Sequence, residues 1–188
     1  MAGPWVRAGH TAICVDINCE PGVRDGVEFI QADIMEWEPP HQDYVFCAAF
    51  PPCTDLAVSG ARWFKSKGWR RAADAVALVA RAADLAESVG CPYLIENPVS
   101  RLSSFHKPDH MFNPCDFGGY LEAPGDAYTK KTCLWTGGGF TMPEQRRVEP
   151  TEGSKMHLLP PGPERADLRS VTPRGFAEAV YLTNGATR

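Results

Sequence analysis

A strand–helix–strand pattern between residues 43 and 95 constrains this 188-residue chain more than any other feature. Asp43–Ala49 is almost entirely apolar, and two prolines that would stop a strand follow it closely. Trp69–Val89 carries apolar residues at helical spacing and is followed by glycine, a common helix end. The apolar Cys91–Ile95 then predicts a second strand. Two strands joined by a helix form a parallel pair, so we expect an α/β fold.

Further elements extend this prediction on both sides. Continuous apolar runs predict strands at Thr11–Asp16, Val27–Ile30 and Thr132–Trp135, and Pro173–Leu182 predicts a terminal helix with Thr172 as its N-cap. Runs that are apolar throughout, rather than alternating, favour a mostly parallel sheet covered on both faces. The region between residues 100 and 128 shows neither pattern and is expected to be irregular.

Length and composition favour one globular domain over residues 1–188. Hydrophobic residues make up 44% and charged residues 22%, which excludes a disordered or fibrous chain. No apolar stretch approaches the roughly 18 residues of a membrane span and no signal-peptide pattern is seen, so we expect a cytoplasmic protein. The seven cysteines form no CxxC pair and are expected to be reduced. A net charge of −4 argues mildly against binding to a polyanion.

Chemically useful side chains follow four of the predicted strands. Asp16-Ile17 follows the first strand, Ala32-Asp33-Ile34 the second, Pro51-Pro52-Cys53 the third and Glu96-Asn97 the fourth. The carboxyl ends of parallel strands share one edge of a sheet, and α/β proteins bind their ligands there. The sequence therefore predicts a site at this edge that holds two aspartates, a cysteine and a glutamate.

Each of these residues has a chemical use and a plainer alternative. Asp16 can accept hydrogen bonds from both hydroxyls of a ribose. Asp33 can accept a hydrogen bond from the exocyclic amine of an adenine. Cys53, on a turn stiffened by proline, can act as a nucleophile if its pKa is lowered. Glu96 can stay protonated and donate a proton or a hydrogen bond. Taken singly, such carboxylates are more often helix caps or solvated groups, such a thiol is often inert, and Glu-Asn-Pro is often a simple turn.

The order of these motifs resembles that of the DNA cytosine-5 methyltransferase family, in particular its short bacteriophage members. Phe50-Pro51-Pro52-Cys53 is similar to the family's nucleophile motif, and Leu94–Pro98 is similar to its glutamate motif. Asp16 and Asp33 lie in segments similar to its two cofactor motifs. Thr129–Trp135 is similar to its basic strand, in which Lys131 takes the place of the arginine that holds the base.

The resemblance implies a Rossmann-like methyltransferase fold that uses S-adenosylmethionine. The implied reaction transfers a methyl group to C5 of cytosine in DNA through a covalent adduct of Cys53, with Glu96 as the second catalytic residue. The terminal helix would close the cofactor pocket, and the implied location is a bacterial or phage-infected cell. The resemblance also implies two sets of binding residues. Those that would bind the substrate are Pro52, Asn97 and Lys131. Those that would bind the cofactor are Asp16, Ile17, Asp33, Ile34 and Pro51.

The chain departs from the family pattern at three places. No strand or Gly-rich turn precedes the first predicted strand, so these two features are expected to be missing or truncated. A Pro/Gly-rich insert around residues 136–171 stands where the family has a target-recognition domain. Lysine at position 131 keeps the positive charge of arginine but loses its planar fork. Three alternatives stay open: an impaired relative that acts as a DNA-binding or partner subunit, a transferase for a free cytosine nucleotide, and a transferase of another specificity.

A basic segment, residues 62–71, follows the predicted nucleophile. It interleaves Trp63, Phe64 and Trp69 with cations and contains no acid. Such a mixture suits contacts with the phosphates and bases of DNA. The alternative is a solvated helix entrance whose aromatic side chains pack inward. The candidate DNA contacts are Arg62, Lys65, Lys67, Arg70 and Arg71.

A zinc site is the weakest of the candidates. His106, His110, Cys115 and Cys133 are types of residue that bind zinc, but their spacing matches no strong zinc pattern. A loop of hydrogen-bonded polar residues explains them as well. We therefore predict no metal.

Overall fold

The computed structural model describes residues 1–123, 125–154, 159–160, 162 and 165–185, with the side chains of residues 165–167 left out. Part of the predicted insert at 136–171 therefore lies outside the described residues. Within them the chain is a mixed α/β structure with two sheets. No helix in these ranges is long and apolar enough to cross a membrane.

The first sheet contains three short strands, β1 (Ala12–Asp16), β2 (Gly22–Arg24) and β3 (Val27–Gln31). Their order is β1-β3-β2, with β1 parallel and β2 antiparallel to β3. The β2–β3 hairpin turns at Asp25-Gly26, where both residues have positive φ (51° and 75°). Asp-Gly is a preferred sequence for such a two-residue turn because its twist matches that of the strands. Strands β1 and β3 confirm the first two predicted strands, and β2 was not predicted.

The second sheet contains the other four strands, in the order β4-β5-β7-β6. Only β4 and β5 are parallel, whereas β7 is antiparallel to both β5 and β6. Two of the five strand pairings are thus parallel, so the prediction of a mostly parallel sheet is wrong. Apolar strands that are covered on both faces look alike in sequence whichever way they run. The bounds of these strands are Cys47–Ala49 (β4), Tyr93–Pro98 (β5), His110–Phe112 (β6) and Thr132–Gly137 (β7).

The predicted strand–helix–strand unit is present as β4, α2 (Phe64–Ser88) and β5. Helix α2 is interrupted at Gly68, whose φ of 78° and ψ of 173° are not helical. The regular part therefore begins at Trp69, the residue at which the sequence predicted the helix to start. Ala86 on this helix packs in a buried cluster with residues of β5 and β7, Ile95 and Trp135 among them.

The opposite face of the second sheet is covered by the C-terminal helix. This helix, α4 (Arg174–Asn184), follows a short helix, α3 (Arg165–Ser170). From α4, Phe176 and Val180 pack against Leu94 and Leu134 of the sheet. Strand β5 is therefore buried on both faces, as its apolar sequence predicted. Pro173 occupies the N-cap, so the prediction that Thr172 would cap this helix is wrong by one residue.

A short helix, α1 (Gly3–Arg7), is the first element and packs against α4. Trp5 stacks on Phe46 with ring centroids 4.8 Å apart and meets Tyr181 edge-on at 5.1 Å. The side chain of Met1 packs against the same buried cluster as Phe46 and Ala48. The described residues between 100 and 128, a region expected to be irregular, form short 3₁₀ turns, the strand β6 and irregular chain between them.

Candidate functional site

Cys53 and Glu96 lie at the carboxyl ends of neighbouring parallel strands. Strand β4 pairs with β5 in the register Ala49↔Ile95, so the segment that follows β4 lies beside Glu96. Phe50-Pro51-Pro52 leads out of β4, and the chain then turns at Cys53, whose carbonyl oxygen accepts hydrogen bonds from the amides of Leu56 (3.0 Å) and Ala57 (2.8 Å). The structure thus brings together the two residues that the sequence predicted to be catalytic.

The loop that carries Cys53 is hydrogen-bonded to the end of β5 and the turn after it. The side-chain amide of the buried Asn97 donates to the carbonyl oxygen of Pro51 at 2.9 Å. Further along, Ala57 forms a β-bridge with Ser100, and the amide of Arg101 donates to the carbonyl of Leu56 at 3.0 Å. These bonds fix the loop relative to Glu96. Two of the predicted substrate-binding residues are in this region. Pro52 is exposed on the loop, and Asn97 is buried and holds the loop through its hydrogen bond to Pro51.

Lys67 holds the same loop from the side of helix α2. Its ammonium donates to the carbonyl oxygen of Thr54 at 2.8 Å and pairs with Asp55 at 2.7 Å. Both side chains of this pair are about one-fifth exposed. Lys67 was predicted to contact DNA, but in the structure its charge is used within the protein.

The carboxyl group of Glu96 is largely enclosed. Among the described residues, its Oε1 atom is buried without a hydrogen-bond partner. Burial raises the pKa of Glu96 above its usual range, and the nearby ammonium of Lys130 opposes this rise. A buried carboxyl group with a raised pKa can hold a proton near neutral pH and donate it to a ligand.

The pKa of the Cys53 thiol depends on its burial and on the charges of three neighbouring side chains. Burial raises the pKa of Cys53, Glu96 raises it further, and Arg169 and Lys130 act to lower it. When Glu96 carries a proton, its share of the repulsion disappears, so a protonated Glu96 and a thiolate at Cys53 are compatible. The pair can therefore combine a hydrogen-bond donor with a nucleophile.

The cations whose charges act on this pair are Lys130, which acts on both groups, and Arg169, which acts on Cys53. The Lys130 ammonium is half-buried and donates to the carbonyl oxygen of Arg169 at 2.7 Å, which ties the start of β7 to helix α3. Lys131, which the family resemblance selected, is exposed and is not among the groups acting on Cys53 or Glu96. The sequence did not identify Lys130, because it does not show which of the two adjacent lysines faces the site. It did not identify Arg169 either, because Arg169 lies in a region where no helix or strand was predicted.

The two aspartates assigned to the cofactor lie together at the end of the first sheet. Asp16 ends β1 and Asp33 follows its parallel neighbour β3. One oxygen of each carboxylate accepts a hydrogen bond from a backbone amide. The amide of Asn18 donates to Asp16 at 2.7 Å, and the amide of Met35 donates to Asp33 at 2.9 Å. Both side chains are exposed, so their other oxygens can be reached by a ligand.

The apolar residues assigned to the cofactor are divided between the two sheets. Ile17 is exposed after β1, and Ile34 is half-buried after β3, where its carbonyl oxygen accepts a hydrogen bond from Arg81 at 2.9 Å. Pro51 is buried beside Asn97 in the loop after β4. The strand pairings that are described do not connect the two sheets, so the aspartates and the Cys53–Glu96 pair belong to separate sheets.

The predicted basic segment forms an exposed surface next to the Cys53 loop. Arg62, Lys65 and Arg71 are exposed, and Arg70 pairs with Asp74 at 3.1 Å. The aromatic side chains do not all pack inward, because Trp63 and Trp69 are both exposed.

The structure does not support a zinc site at the histidines and cysteines that the sequence offered. Cys115 and Cys133 are buried in the protein core, and His106 lies on an exposed turn. The described residues contain no group of three or more side chains placed to hold a metal ion.

A cavity of about 230 Å³ lies at the opposite ends of the strands from Cys53. Its lining includes His10, Val45 and Pro92, which precede β1, β4 and β5 respectively, and Asn184 at the end of α4. The cavity is therefore separate from the pair formed by Cys53 and Glu96.

No family model, curated protein or solved structure matches the chain.

Proposed function

We propose that this protein is a methyltransferase that modifies C5 of cytosine in DNA through a covalent adduct of Cys53. The observation that supports the proposal most strongly is the placement of Cys53 beside Glu96 at the ends of two parallel strands. The buried, unpartnered Oε1 of Glu96 adds to it, since such an atom is suited to a hydrogen bond with a ligand. The proposed scaffold is a variant of the Rossmann-like methyltransferase fold.

In the proposed reaction, protonated Glu96 donates a hydrogen bond to N3 of cytosine, and the Cys53 thiolate adds to C6. Addition of the thiolate moves the electrons of the C5–C6 double bond towards C5, which becomes nucleophilic. C5 would then take the methyl group as the sulfur–methyl bond of the donor breaks, which leaves S-adenosylhomocysteine. A base would remove the C5 proton and the C6–sulfur bond would break, which restores the C5–C6 double bond and the thiolate. Two moderate barriers replace one high barrier. On duplex DNA the cytosine must first leave the helical stack.

The residues of the first sheet fit the adenosine part of S-adenosylmethionine. When bound, this cofactor supplies an electrophilic methyl group. Asp16 and Asp33 each have one carboxylate oxygen not engaged by the turn amides described above, the arrangement that a ribose and an adenine amine need. Ile17 and Ile34 would pack on the adenine, and Pro51 would line the side facing Cys53.

The residues around Cys53 disfavour methylation of an exocyclic amine. Enzymes of that class use an Asn or Asp before Pro-Pro to accept a hydrogen bond from the target amine. Phe50 occupies that position and has no acceptor in its side chain. A thiol follows the prolines instead, and a thiol suits attack on a ring carbon.

Covalent trapping tests the proposal directly. We expect the protein to form a stable adduct with an oligonucleotide containing 5-fluorocytosine when S-adenosylmethionine is present, because fluorine at C5 cannot leave as a proton does. Intact mass spectrometry should show the protein, the oligonucleotide and one methyl group joined. Cys53→Ser should abolish the adduct, whereas Cys14→Ser, which changes an exposed thiol on β1, should not. If no adduct forms with an oligonucleotide or with 5-fluorodeoxycytidine monophosphate, the proposal is wrong.

A second candidate function is that of a DNA-binding or partner subunit without its own activity. The separation of the two aspartates and the Cys53–Glu96 pair onto different sheets favours it. This candidate predicts DNA binding without trapping. Trapping on the free fluorinated nucleotide alone would instead identify a transferase that acts on a cytosine nucleotide.

A further inference from the structure

The exposed basic and aromatic residues beside the Cys53 loop have a composition unlike the rest of the chain. Two segments build this region, residues 56–73 and 97–108, and they are joined by the β-bridge between Ala57 and Ser100. Together they contain seven cations and no acid, while the remaining residues hold 12 cations and 23 acids. A protein with a net charge of −4 thus concentrates positive charge next to its candidate nucleophile.

Part of this charge is available to a ligand. Lys67 and Arg70 pair with Asp55 and Asp74, respectively. Among the described residues, Arg62, Lys65 and Arg71 have no carboxylate partner, and all three side chains are exposed. Arg101, from the second segment, lies over the ring of Phe64, with its guanidinium carbon 3.5 Å from the ring centroid.

Two tryptophan side chains are exposed among these cations. Trp69 is 93% exposed, and no ring contact to it is found among the described residues. It follows Gly68, whose positive φ ends one helical segment and starts the next, so Trp69 stands at the beginning of the regular helix. Trp63 is 53% exposed and carries the guanidinium of Arg62 near one face, 5.0 Å from its centroid. We call Arg62, Trp63, Lys65, Trp69, Arg71 and Arg101 the tryptophan surface.

We propose that the tryptophan surface binds single-stranded DNA, with bases stacked on Trp69 and Trp63 and phosphates paired with the cations. The proposal rests on the proposed function and specifies the strand state of its substrate. An indole stacks on the face of a base, and in a duplex those faces are covered by neighbouring base pairs. The segment from Arg62 to Arg71 has a helical rise of about 14–18 Å, divided between two helical pieces that meet at Gly68, which suits contacts with a few unpaired nucleotides.

The position of the surface relates it to the candidate nucleophile. Lys67 lies two residues before Trp69 and holds the carbonyl oxygen of Thr54, the residue after Cys53. Bases that stack on the tryptophans would therefore be neighbours of a cytosine placed at Cys53. An unpaired target also needs no extrusion from a duplex, which removes an energetic cost that a small chain would otherwise have to meet.

Fluorescence anisotropy with a labelled 12-nucleotide strand containing one cytosine tests the proposal. We expect the single strand to bind at least tenfold more tightly than the same sequence in a duplex. Trp69→Ala should raise the dissociation constant for the single strand about tenfold or more, and Trp69→Phe, which keeps an aromatic face, should restore most of the affinity. Leu182→Ala is the matched control, since it removes an exposed apolar side chain from α4. Circular dichroism of each variant checks that it is folded.

Salt dependence gives an independent measurement. With three to five phosphates neutralised, the slope of log K against log salt should be about −2 to −3.5 for a single strand. Arg71→Ala should reduce this slope by about 0.7, and Arg24→Ala, on the exposed hairpin of the first sheet, should leave it unchanged. Equal affinity for single strand and duplex, or unchanged binding by Trp69→Ala, overturns the proposal.

The two proposals fail in different ways. Single-strand binding that depends on Trp69, without adduct formation on 5-fluorocytosine, would support the tryptophan surface and reject the methyltransferase. Trapping on a duplex oligonucleotide that Trp69→Ala does not change, without tighter binding of the single strand, would support the methyltransferase and reject the tryptophan surface.

Discussion

The side-chain amide of Asn97 donates a hydrogen bond to the carbonyl oxygen of Pro51, and this bond joins the loop of the candidate nucleophile to the strand of the candidate acid. Asn97 is buried and directly follows Glu96, so its hydrogen bond helps to hold the Cys53 loop beside Glu96. Its Oδ1 atom is buried without a partner in the described chain.

We expect Asn97→Ala to lower the free energy of unfolding by about 1–3 kcal/mol, because the carbonyl of Pro51 would lose its donor in a buried position. Urea unfolding followed by circular dichroism measures this change. The rate of trapping on 5-fluorocytosine should fall as well, since the loop would no longer be held. Asn18→Ala, at an exposed turn, should change neither quantity. Equal stability of Asn97→Ala and the wild type would show that the hydrogen bond does not hold the loop.

The Lys67 contacts make a separate prediction about the Cys53 loop. Lys67→Met keeps most of the side-chain length but removes the hydrogen bond to Thr54 and the ion pair with Asp55. We expect the rate of Cys53 alkylation by iodoacetamide, followed by peptide mass mapping, to rise severalfold as the loop loosens. Lys65→Met, at an exposed position, serves as the control. A rate unchanged by Lys67→Met would show that the loop is held by its backbone bonds alone.

Much of this arrangement follows from the sequence, and the parts that do not have physical reasons. The unit from β4 to β5 was predicted because its strand, helix and turn signals are local. The hairpin at Asp25-Gly26 could have been found from its turn sequence, which is a strong signal for two-residue hairpins. The direction of β7 could not be found, since a strand buried on both faces shows the same apolar run whether it is parallel or antiparallel.

The position of the cation near Glu96 could not be predicted either. Thr132 is the first residue of β7, and both lysines directly precede it. Successive side chains along a strand point to opposite faces. A shift of one residue in the register of β7 would therefore exchange the faces on which Lys130 and Lys131 lie. The sequence contains both lysines and does not fix the register. The pairings of Thr132 with Pro98 and with Phe112 show where the strand begins.

Lys130 and Lys131 are distinguished by the pH dependence of Cys53 alkylation. Lys130 lowers the pKa of Cys53 against the larger effect of burial, so Lys130→Ala should move the pH–rate profile of Cys53 towards higher pH. Lys131→Ala should leave the profile in place. A shift caused by Lys131→Ala instead would assign the cation of the site to the residue that the family resemblance selected.

The raised pKa of Glu96 predicts a change of stability with pH. Burial makes the folded protein hold this proton above the pH at which the unfolded chain releases it. The free energy of unfolding therefore falls as the pH rises from the unfolded pKa through the folded pKa, with a slope of at most about 1.4 kcal/mol per pH unit. Glu96→Gln removes this contribution, so the stability of the variant relative to the wild type should increase as the pH rises above the unfolded pKa of Glu96. Glu36→Gln, at an exposed position, should not.

Asp33 provides the test of the cofactor site. Its carboxylate caps a turn by accepting the amide of Met35, and Asn at this position can keep that bond while losing the negative charge. If Asp33 also accepts a hydrogen bond from the adenine amine, Asp33→Asn should weaken binding of S-adenosylmethionine about tenfold in a calorimetric titration, because hydrogen bonds to charged groups are the stronger kind. Glu28→Ala, which removes an exposed carboxylate from β3, should bind as the wild type does. Unchanged binding by Asp33→Asn, with the turn intact, would show that the carboxylate serves the turn and that the cofactor, if bound, is held elsewhere.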